Sequence, residues 1–174
     1  MDWEFAVLDW IRSTLHTPWW NGLWPAVSAL GNAGAVWIAL AVVLLCRKKT
    51  RRLGLCLTAA LVLDLLSCNL LLKPLVGRPR PFAMDPTLVP LIPLPTDASF
   101  PSGHTASSFA AFSALLFGKS RLWIPALALA CAIAFSRLYL LVHFPTDVLC
   151  GAVLGIACGF AGVKLINAIK KPHA

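Results

Sequence analysis

Long apolar runs with few charges are the feature that most limits the folds open to this chain. Residues 53–72 read LGLCLTAALVLDLLSCNLLL, and a helix of about 20 apolar residues is long enough to cross a bilayer. Residues 122–142 and 146–169 have the same character. Because 59% of the residues are hydrophobic and only 13% are charged, the composition argues against an ordinary soluble domain. The chain is predicted to be an all-α integral membrane protein.

Two shorter or interrupted runs complete the predicted bundle. Residues 104–118 form the shorter one, and residues 24–46 are interrupted by Gly31, Asn32 and Gly34. Such an interruption is typical of a short helix followed by a second, tilted one, because glycine weakens a helix interior. With these two runs, the sequence predicts five transmembrane helices.

The N-terminal segment is predicted to lie on the membrane surface. Residues 3–16 mix charged residues with Trp3, Phe5 and Trp10, a pattern typical of an amphipathic interfacial helix with tryptophans at headgroup depth. A sixth transmembrane helix would require this segment to cross, which its charges disfavour. We interpret residues 1–174 as one membrane domain, a helical bundle of five transmembrane helices, or of six if this segment crosses.

The charges predict which side of the membrane each connection faces, because lysine and arginine favour the cytoplasmic side. If five helices alternate, ten of the fifteen basic residues fall on one side. These ten are Arg47, Lys48, Lys49, Arg51, Arg52, Lys119, Arg121, Lys164, Lys170 and Lys171. Six of the seven acids fall on the other side, which is therefore predicted to be outside. The net charge of +8 does not indicate nucleic-acid binding, because the basic residues lie in short runs between apolar stretches.

Three polar segments are predicted to meet on the outer face. They are KPLVGRPRP at 73–81, PSGH at 101–104 and SRLYLLVHFPTD at 136–147. Each adjoins the outer end of a predicted transmembrane helix, and side chains on facing helices are how a helical bundle builds a site. The sequence therefore predicts one polar site assembled from all three segments.

The residue types suit chemistry at a phosphate group. Lys73, Arg80 and Arg137 provide cations, and arginine forks match phosphate oxygens. Ser102 and Gly103 lie where a helix is predicted to begin, and the free N–H groups of a helix start bind anions. Fixed cations and backbone donors of this kind stabilise the charge on a transferring phosphoryl group.

Two histidines and an aspartate complete the predicted chemistry. A neutral imidazole can act as a nucleophile, and a second imidazole can protonate the leaving oxygen. His104 and His143 are the two imidazoles in these segments. Asp147 follows His143 by four residues, so it can orient that imidazole if a new helix begins near Pro145.

The three segments resemble the signature of the type 2 phosphatidic acid phosphatase family, which reads KxxxxxxRP, PSGH and SRxxxxxHxxxD. Every signature position is filled, in order, between residues 73 and 147. The resemblance implies that His143 is a nucleophile forming a phosphohistidine, that Asp147 orients it, and that His104 is the general acid. It implies a phosphate-binding group made of Lys73, Arg80, Ser102, Gly103 and Arg137. It also implies catalysis without a metal or other cofactor, in a bundle that commonly has six membrane helices.

The predicted partners are a lipid phosphate and membrane lipids, because an outward site at headgroup depth suits a substrate whose tail stays in the bilayer. Undecaprenyl diphosphate is the first choice, giving undecaprenyl phosphate and inorganic phosphate at the outer face of the cell membrane. Phosphatidylglycerol phosphate, phosphatidate and lipid A phosphates remain open. A different class is a protein that binds or flips phospholipids without cleaving them, and a third is a purely structural membrane protein, which would need none of the three motifs.

Three features are open to more than one interpretation. Arg78 is predicted to contact either a second phosphate or lipid headgroups. Asp64, inside a predicted transmembrane helix, is interpreted as a structural interhelical hydrogen bond, with Ser67 and Asn69 nearby. Residues 74–101 contain eight prolines, which is typical of either a lid over the site or a stiff surface loop.

Overall fold

The computed structural model describes residues 2–169, and all the regular structure in that range is helical. The helices are α1 (Asp2–Leu15), α2 (Pro18–Leu30), α3 (Ala35–Cys46), α4 (Arg51–Asp64), α5 (Lys73–Val76), α6 (Pro81–Met84), α7 (Gly103–Phe117), α8 (Trp123–Tyr139) and α9 (Pro145–Ile169). A 3-10 turn, Asn32–Gly34, joins α2 to α3, and a π-helix, Leu65–Leu72, joins α4 to α5. Lys170 and Lys171, which belong to the predicted cytoplasmic set, lie outside the described residues.

Length and composition identify the membrane-crossing candidates. The stretch Arg51–Met84 has 34 residues and a mean hydropathy of 2.1, and α9 has 25 residues and a mean hydropathy of 2.0. Helices α2 and α3 qualify as a third candidate if they form one crossing bent by 45°. Helix α8 is apolar but has only 17 residues, and α7 has 15. The described residues thus contain two crossing helices, or up to three, by this measure; the count of five stays a prediction.

The bend between α2 and α3 falls at the interruption expected from the sequence. Ala33 and Gly34 both adopt positive φ values, 50° and 69°. This left-handed backbone cannot continue an α-helix, so the chain changes direction at Asn32–Gly34. The turn thereby projects Asn32 toward the start of α7, where its side chain contacts His104.

Helix α7 is the centre of the bundle, because it packs against α9, α8 and α4. Its closest partner is α9, which faces it with Gly151, Gly155 and Gly159 at four-residue spacing. A Cβ atom on Gly155 would lie 2.2 Å from the carbonyl oxygen of Ala106, and one on Gly151 would lie 2.7 Å from that of Ser102. The two backbones are therefore in direct contact, as small residues allow between membrane helices.

Helix α1 packs against the connection between α8 and α9. The ring of Phe5 meets the ring of Phe144 edge to face, with centroids 5.3 Å apart. Leu8 is fully buried in a small cluster that includes Phe144. The opposite side of the helix exposes Trp3 and Trp10. Helix α1 is thus held to the bundle by one apolar face, while its interfacial position in the membrane stays a prediction.

We expect Gly155→Ala to destabilise the protein, because its new methyl group would collide with backbone atoms of α7. Overpacking of this kind costs about 1–3 kcal/mol. The matched control is Gly22→Ala in α2, where a Cβ would meet nothing within 4 Å and where alanine suits a helix better than glycine. Thermal unfolding of both variants in detergent micelles checks this. Equal melting temperatures for the two variants would contradict the close α7–α9 contact.

Candidate active site

One cavity of about 990 Å³ brings the three polar segments together. Its wall includes six of the eight predicted site residues, namely Lys73, Arg80, Gly103, His104, Arg137 and His143. The other two, Ser102 and Asp147, are fully buried beside it. The backbone N–H of Ser102 donates to the carbonyl oxygen of Asp147 at 3.0 Å, which joins the second segment to the third.

The two ring nitrogens of His143 have different surroundings. Nδ1 lies 3.5 Å from Oδ2 of Asp147, at the outer limit of a hydrogen bond. Nε2 lies 3.3 Å from Nη1 of Arg80, on the side of the cavity. His143 occupies the short connection between α8 and α9, and Asp147 lies in the first turn of α9. The imidazole therefore has a carboxylate behind it and a guanidinium in front.

Burial sets the protonation state of this imidazole. Loss of solvent is the largest effect on His143 and lowers its pKa well below the usual range. Asp147 raises the pKa, and the nearby cations Arg80 and Arg137 lower it again. His143 is thus neutral at pH 7 and keeps a lone pair on one nitrogen, as a nucleophilic imidazole requires.

The carboxylate of Asp147 is buried, and its oxygens are satisfied from several directions. Oδ2 accepts hydrogen bonds from Ser99 Oγ at 2.5 Å and from the backbone N–H of Phe144 at 2.9 Å. Oδ1 accepts from Arg78 Nη1 at 2.6 Å. Sequence reasoning missed Ser99, whose signal was its position two residues before the PSGH segment. These contacts fix the carboxylate beside His143.

Lys73 and Arg80, both almost fully buried, share one acidic partner. The carboxylate of Asp97 pairs with Nζ of Lys73 and accepts from Nη2 of Arg80 at 2.7 Å. Each cation also has a neutral anchor: Lys73 donates to the carbonyl oxygen of Ala98 at 3.0 Å, and Arg80 Nη1 donates to that of Val142 at 2.6 Å. Sequence reasoning counted Asp97 only as an outer acid, because nothing local ties it to residues 17 and 24 positions away.

The charge of Asp97 is stabilised by this pairing. Partial burial alone would raise its pKa, but the hydrogen bonds and positive charges of Lys73 and Arg80 outweigh that effect and lower the pKa to about 2. The side chain is nevertheless half exposed. Asp97 therefore remains an anion at neutral pH, placed between two cations that the sequence assigns to phosphate binding.

Arg137 and His104 are held by residues of the α2–α3 region. Arg137 Nη1 donates to the hydroxyl of Ser28, whereas its Nε is buried without a hydrogen-bond partner among residues 2–169. Nε2 of His104 lies 2.9 Å from Oδ1 of Asn32. Because an amide oxygen only accepts, this contact places a proton on Nε2 of His104. Neither Ser28 nor Asn32 carried a signal in the sequence beyond the helix interruption.

Gly103 lies in a crowded part of the site. A Cβ atom there would lie 3.1 Å from Oδ1 of Asn69, which the π-helix Leu65–Leu72 presents. The absent side chain leaves the first turn of α7 open to the cavity. A ligand oxygen can therefore reach the free N–H groups of that turn.

Arg78 forms ion pairs with Glu4 and Asp147, and its predicted contact with a second phosphate or with lipid headgroups stays a prediction. The interhelical hydrogen bond predicted for Asp64 is absent from the described residues, because Oδ1 is buried without a partner. Ser67, the expected neighbour, donates to the carbonyl oxygen of Leu63 in its own helix at 2.7 Å. Within residues 2–169, no group of three or more His, Cys, Asp or Glu side chains could hold a metal ion.

Comparisons of sequence and structure show which known proteins this chain is similar to. Residues 49–171 match the model of the PAP2 superfamily. The chain is 35% identical over 147 residues to an undecaprenyl-diphosphatase of Sulfolobus acidocaldarius, covering 83% of this chain and 70% of the relative. It is 31% identical over 162 residues to a lipid A 4'-phosphatase of Bacteroides thetaiotaomicron, covering 85% and 69%. The crystal structure of a PAP2-type phosphatidylglycerolphosphate phosphatase from Bacillus subtilis has a TM-score of 0.79 at 28% identity, covering 99% of this chain and 88% of that one.

We expect Asp97→Asn to strengthen the binding of inorganic phosphate at pH 7. The carboxylate competes with an anion for Lys73 and Arg80, and both cations keep their carbonyl anchors in the variant. Half-exposed ion pairs contribute about 0.2–1 kcal/mol, so the gain should be about 1.5- to 5-fold. Calorimetric titration with phosphate checks this. Because the pKa of Asp97 is about 2, acidifying the wild type to pH 5 should not reproduce the gain. Weaker binding in the variant would show that Asp97 supports the cations instead.

Proposed function

We propose a specific reaction for this chain, which belongs to the PAP2 superfamily and is a membrane lipid phosphatase. It hydrolyses undecaprenyl diphosphate to undecaprenyl phosphate and inorganic phosphate, through a phosphohistidine intermediate and without a metal. The observation that carries this proposal is the setting of His143, with Asp147 at Nδ1 and a cation-lined cavity at Nε2.

The first step transfers the terminal phosphoryl group to His143. The lone pair of Nε2 attacks the phosphorus, so an N–P bond forms while the bond to the bridging oxygen breaks. Asp147 accepts the Nδ1 proton in a hydrogen bond and stabilises the positive charge that develops on the imidazole. Lys73, Arg80, Arg137 and the N–H groups at the start of α7 hold the equatorial oxygens.

His104 acts as the general acid for the leaving group and then as the general base for water. In this mechanism its imidazolium form gives a proton to the departing oxygen and becomes neutral. In the second step neutral His104 takes a proton from water, and the water oxygen attacks the phosphorus. The N–P bond then breaks, which releases inorganic phosphate and restores both imidazoles.

The shape of the cavity supports a lipid substrate. Below the polar groups its wall is formed by α3 and α4 and is mostly apolar, with Ile38, Val42, Leu61 and Val62 beside the polar Thr58 and Asp64. Ile38, Val42 and Val62 are among the exposed hydrophobic side chains of the protein. A long hydrocarbon tail can therefore lie between these two helices while its phosphate groups reach His143.

The position of the site relative to the membrane is part of the proposal. The basic connection between α3 and α4 lies at the opposite ends of those helices from Lys73 and Asn32. The preference of such basic runs for the cytoplasm places the cavity's polar end outside. We assign the site to the extracytoplasmic face of the cell membrane, with five crossing elements formed by α2–α3, α4–α5, α7, α8 and α9.

Two groups of alternatives follow from the same chemistry. Phosphatidylglycerol phosphate or lipid A phosphates would bind to the same phosphate-binding group, and proteins acting on them resemble this chain. A protein that only binds or flips phospholipids would need the cations but not the two histidines with Asp147. The nearness of Asp147 to His143, at 3.5 Å, favours catalysis, since binding alone does not need an oriented imidazole.

We expect His143→Ala to abolish phosphate release from undecaprenyl diphosphate in detergent with EDTA present. Loss of an activated nucleophile costs about 10³-fold or more. The matched control is His16→Ala, because His16 lies outside the cavity, where it hydrogen-bonds to and packs against Tyr139. Phosphate release measured on all three proteins checks the prediction.

Two outcomes would contradict this mechanism. Activity that survives in His143→Ala would exclude His143 as the nucleophile. No release by the wild type from undecaprenyl diphosphate, phosphatidylglycerol phosphate or phosphatidate would favour the lipid-binding alternative. Release from only one of the three lipids would identify the substrate.

We expect the effect of His104→Ala to depend on the leaving group. A general acid contributes about 10²–10⁴-fold where the departing oxygen needs a proton. Phosphatidate loses an alkoxide-like oxygen, whereas p-nitrophenyl phosphate loses a stable phenolate. The variant should therefore lose much more activity on phosphatidate than on p-nitrophenyl phosphate. Steady-state rates on both substrates test this, and an equal loss would rule out the acid role of His104.

A further inference from the structure

Glu4 of helix α1 is buried and bonded on both carboxylate oxygens. Oε2 accepts from Arg78 Nη2 at 2.7 Å, and Oε1 accepts from the hydroxyl of Thr146 at 2.6 Å. Its side chain is only 5% exposed. A buried carboxylate is costly unless its partners compensate the charge. Glu4 is therefore fixed to the start of α9, although 142 positions separate it from Thr146.

Arg78 connects this carboxylate to Asp147. Its Nη2 binds Glu4, while its Nη1 donates to Asp147 Oδ1 at 2.6 Å and to Thr146 Oγ1 at 2.7 Å. The guanidinium also lies over the ring of Phe144, with its central carbon 4.1 Å from the centroid. Both terminal nitrogens and one face of the guanidinium are therefore engaged. The side chain is 18% exposed, and it lines a smaller neighbouring pocket instead of the cavity beside His143.

Arg78 reaches Asp147 by a second route through its backbone. Its carbonyl oxygen accepts the N–H of Ser99 at 2.9 Å, and Ser99 Oγ donates to Asp147 Oδ2 at 2.5 Å. One residue thus fixes both oxygens of the carboxylate that faces His143. Gly77, with φ of 59°, makes the turn that sets Arg78 in this position.

We propose that Glu4 and Arg78 are positioning residues for the phosphatase reaction, acting through Asp147 on His143. The proposal rests on the proposed function. Arg78 compensates the charge of buried Asp147, and Glu4 compensates Arg78, so that the guanidinium does not draw the carboxylate away from the imidazole. Helix α1 is thereby part of the active-site framework, in addition to its packing against the bundle.

The kinetic test compares Glu4→Gln and Arg78→Gln with the wild type. Because the network acts on orientation, kcat should fall about 10-fold for Glu4→Gln and about 100-fold for Arg78→Gln. KM should stay within about 2-fold, since neither residue lines the cavity. The matched control is Arg12→Gln, which removes the contact between α1 and Thr87 but leaves the network intact. If Arg12→Gln lowers kcat as much as Glu4→Gln, the effect is loss of helix docking and the proposal is wrong.

A substrate comparison separates positioning from direct phosphate binding. An Arg78 that contacted a second phosphate would matter for undecaprenyl diphosphate and not for a monophosphate such as phosphatidate. If Arg78 is a positioning residue, Arg78→Gln should lower kcat by the same factor on both substrates. A loss confined to the diphosphate would overturn the proposal and identify Arg78 as a ligand of the second phosphate.

A third measurement does not depend on turnover. Glu4 and Asp147 are linked through Arg78 and Thr146, so Glu4→Gln and Asp147→Asn should be non-additive in thermal unfolding. Arg12→Gln combined with Asp147→Asn should be additive. If the wild type releases phosphate from no lipid, the proposed function fails, while additivity in the Glu4–Asp147 pair would by itself disprove the network.

Discussion

The carboxylate of Asp147 is the group on which the rest of the site depends. It is buried completely, and an uncompensated charge in that position would strongly destabilise the fold. Its compensation comes from Arg78, Ser99 and the N–H of Phe144, while its backbone oxygen accepts from Ser102. Satisfying one carboxylate therefore brings the three polar segments to one place, which makes assembly of the site a condition of folding.

The contact between α7 and α9 determines how far apart His104 and His143 lie. His104 lies on α7, and His143 lies just before α9 beside Asp147 of its first turn, so the separation of the two imidazoles depends on how these helices pack. Gly151 and Gly155 remove the side chains that would hold the backbones apart. Backbone contact is stiffer than contact through long side chains, which suits groups that must stay within a fraction of an ångström of their working positions.

The sequence predicted the parts that depend on local pattern. Apolar runs located α4, α8 and α9, and glycines located the bend at Asn32–Gly34. The predicted site residues line one cavity or lie directly beside it. The sequence did not reveal the partners: Glu4 meets Arg78 across 74 positions, and His104 meets Asn32 across 72. Such pairs depend on helix packing, and one sequence carries no periodic signal of it. The sequence showed that Arg78 carries a positive charge, but it did not show which residues its side chain contacts.

The number of free positive charges in the phosphate-binding group affects catalysis as well as binding in the proposed mechanism. Lys73 and Arg80 share Asp97, whereas Arg137 forms no ion pair among residues 2–169. Cations without an acidic neighbour would hold substrate, transition state and product phosphate alike, and uniform binding of that kind does not raise kcat. In the proposed mechanism, an anion that competes for two of the three cations weakens substrate binding in the ground state, while the transition state gains the in-line contacts of His143 and His104. We therefore expect Asp97 to favour turnover, because it would keep the product phosphate loosely held.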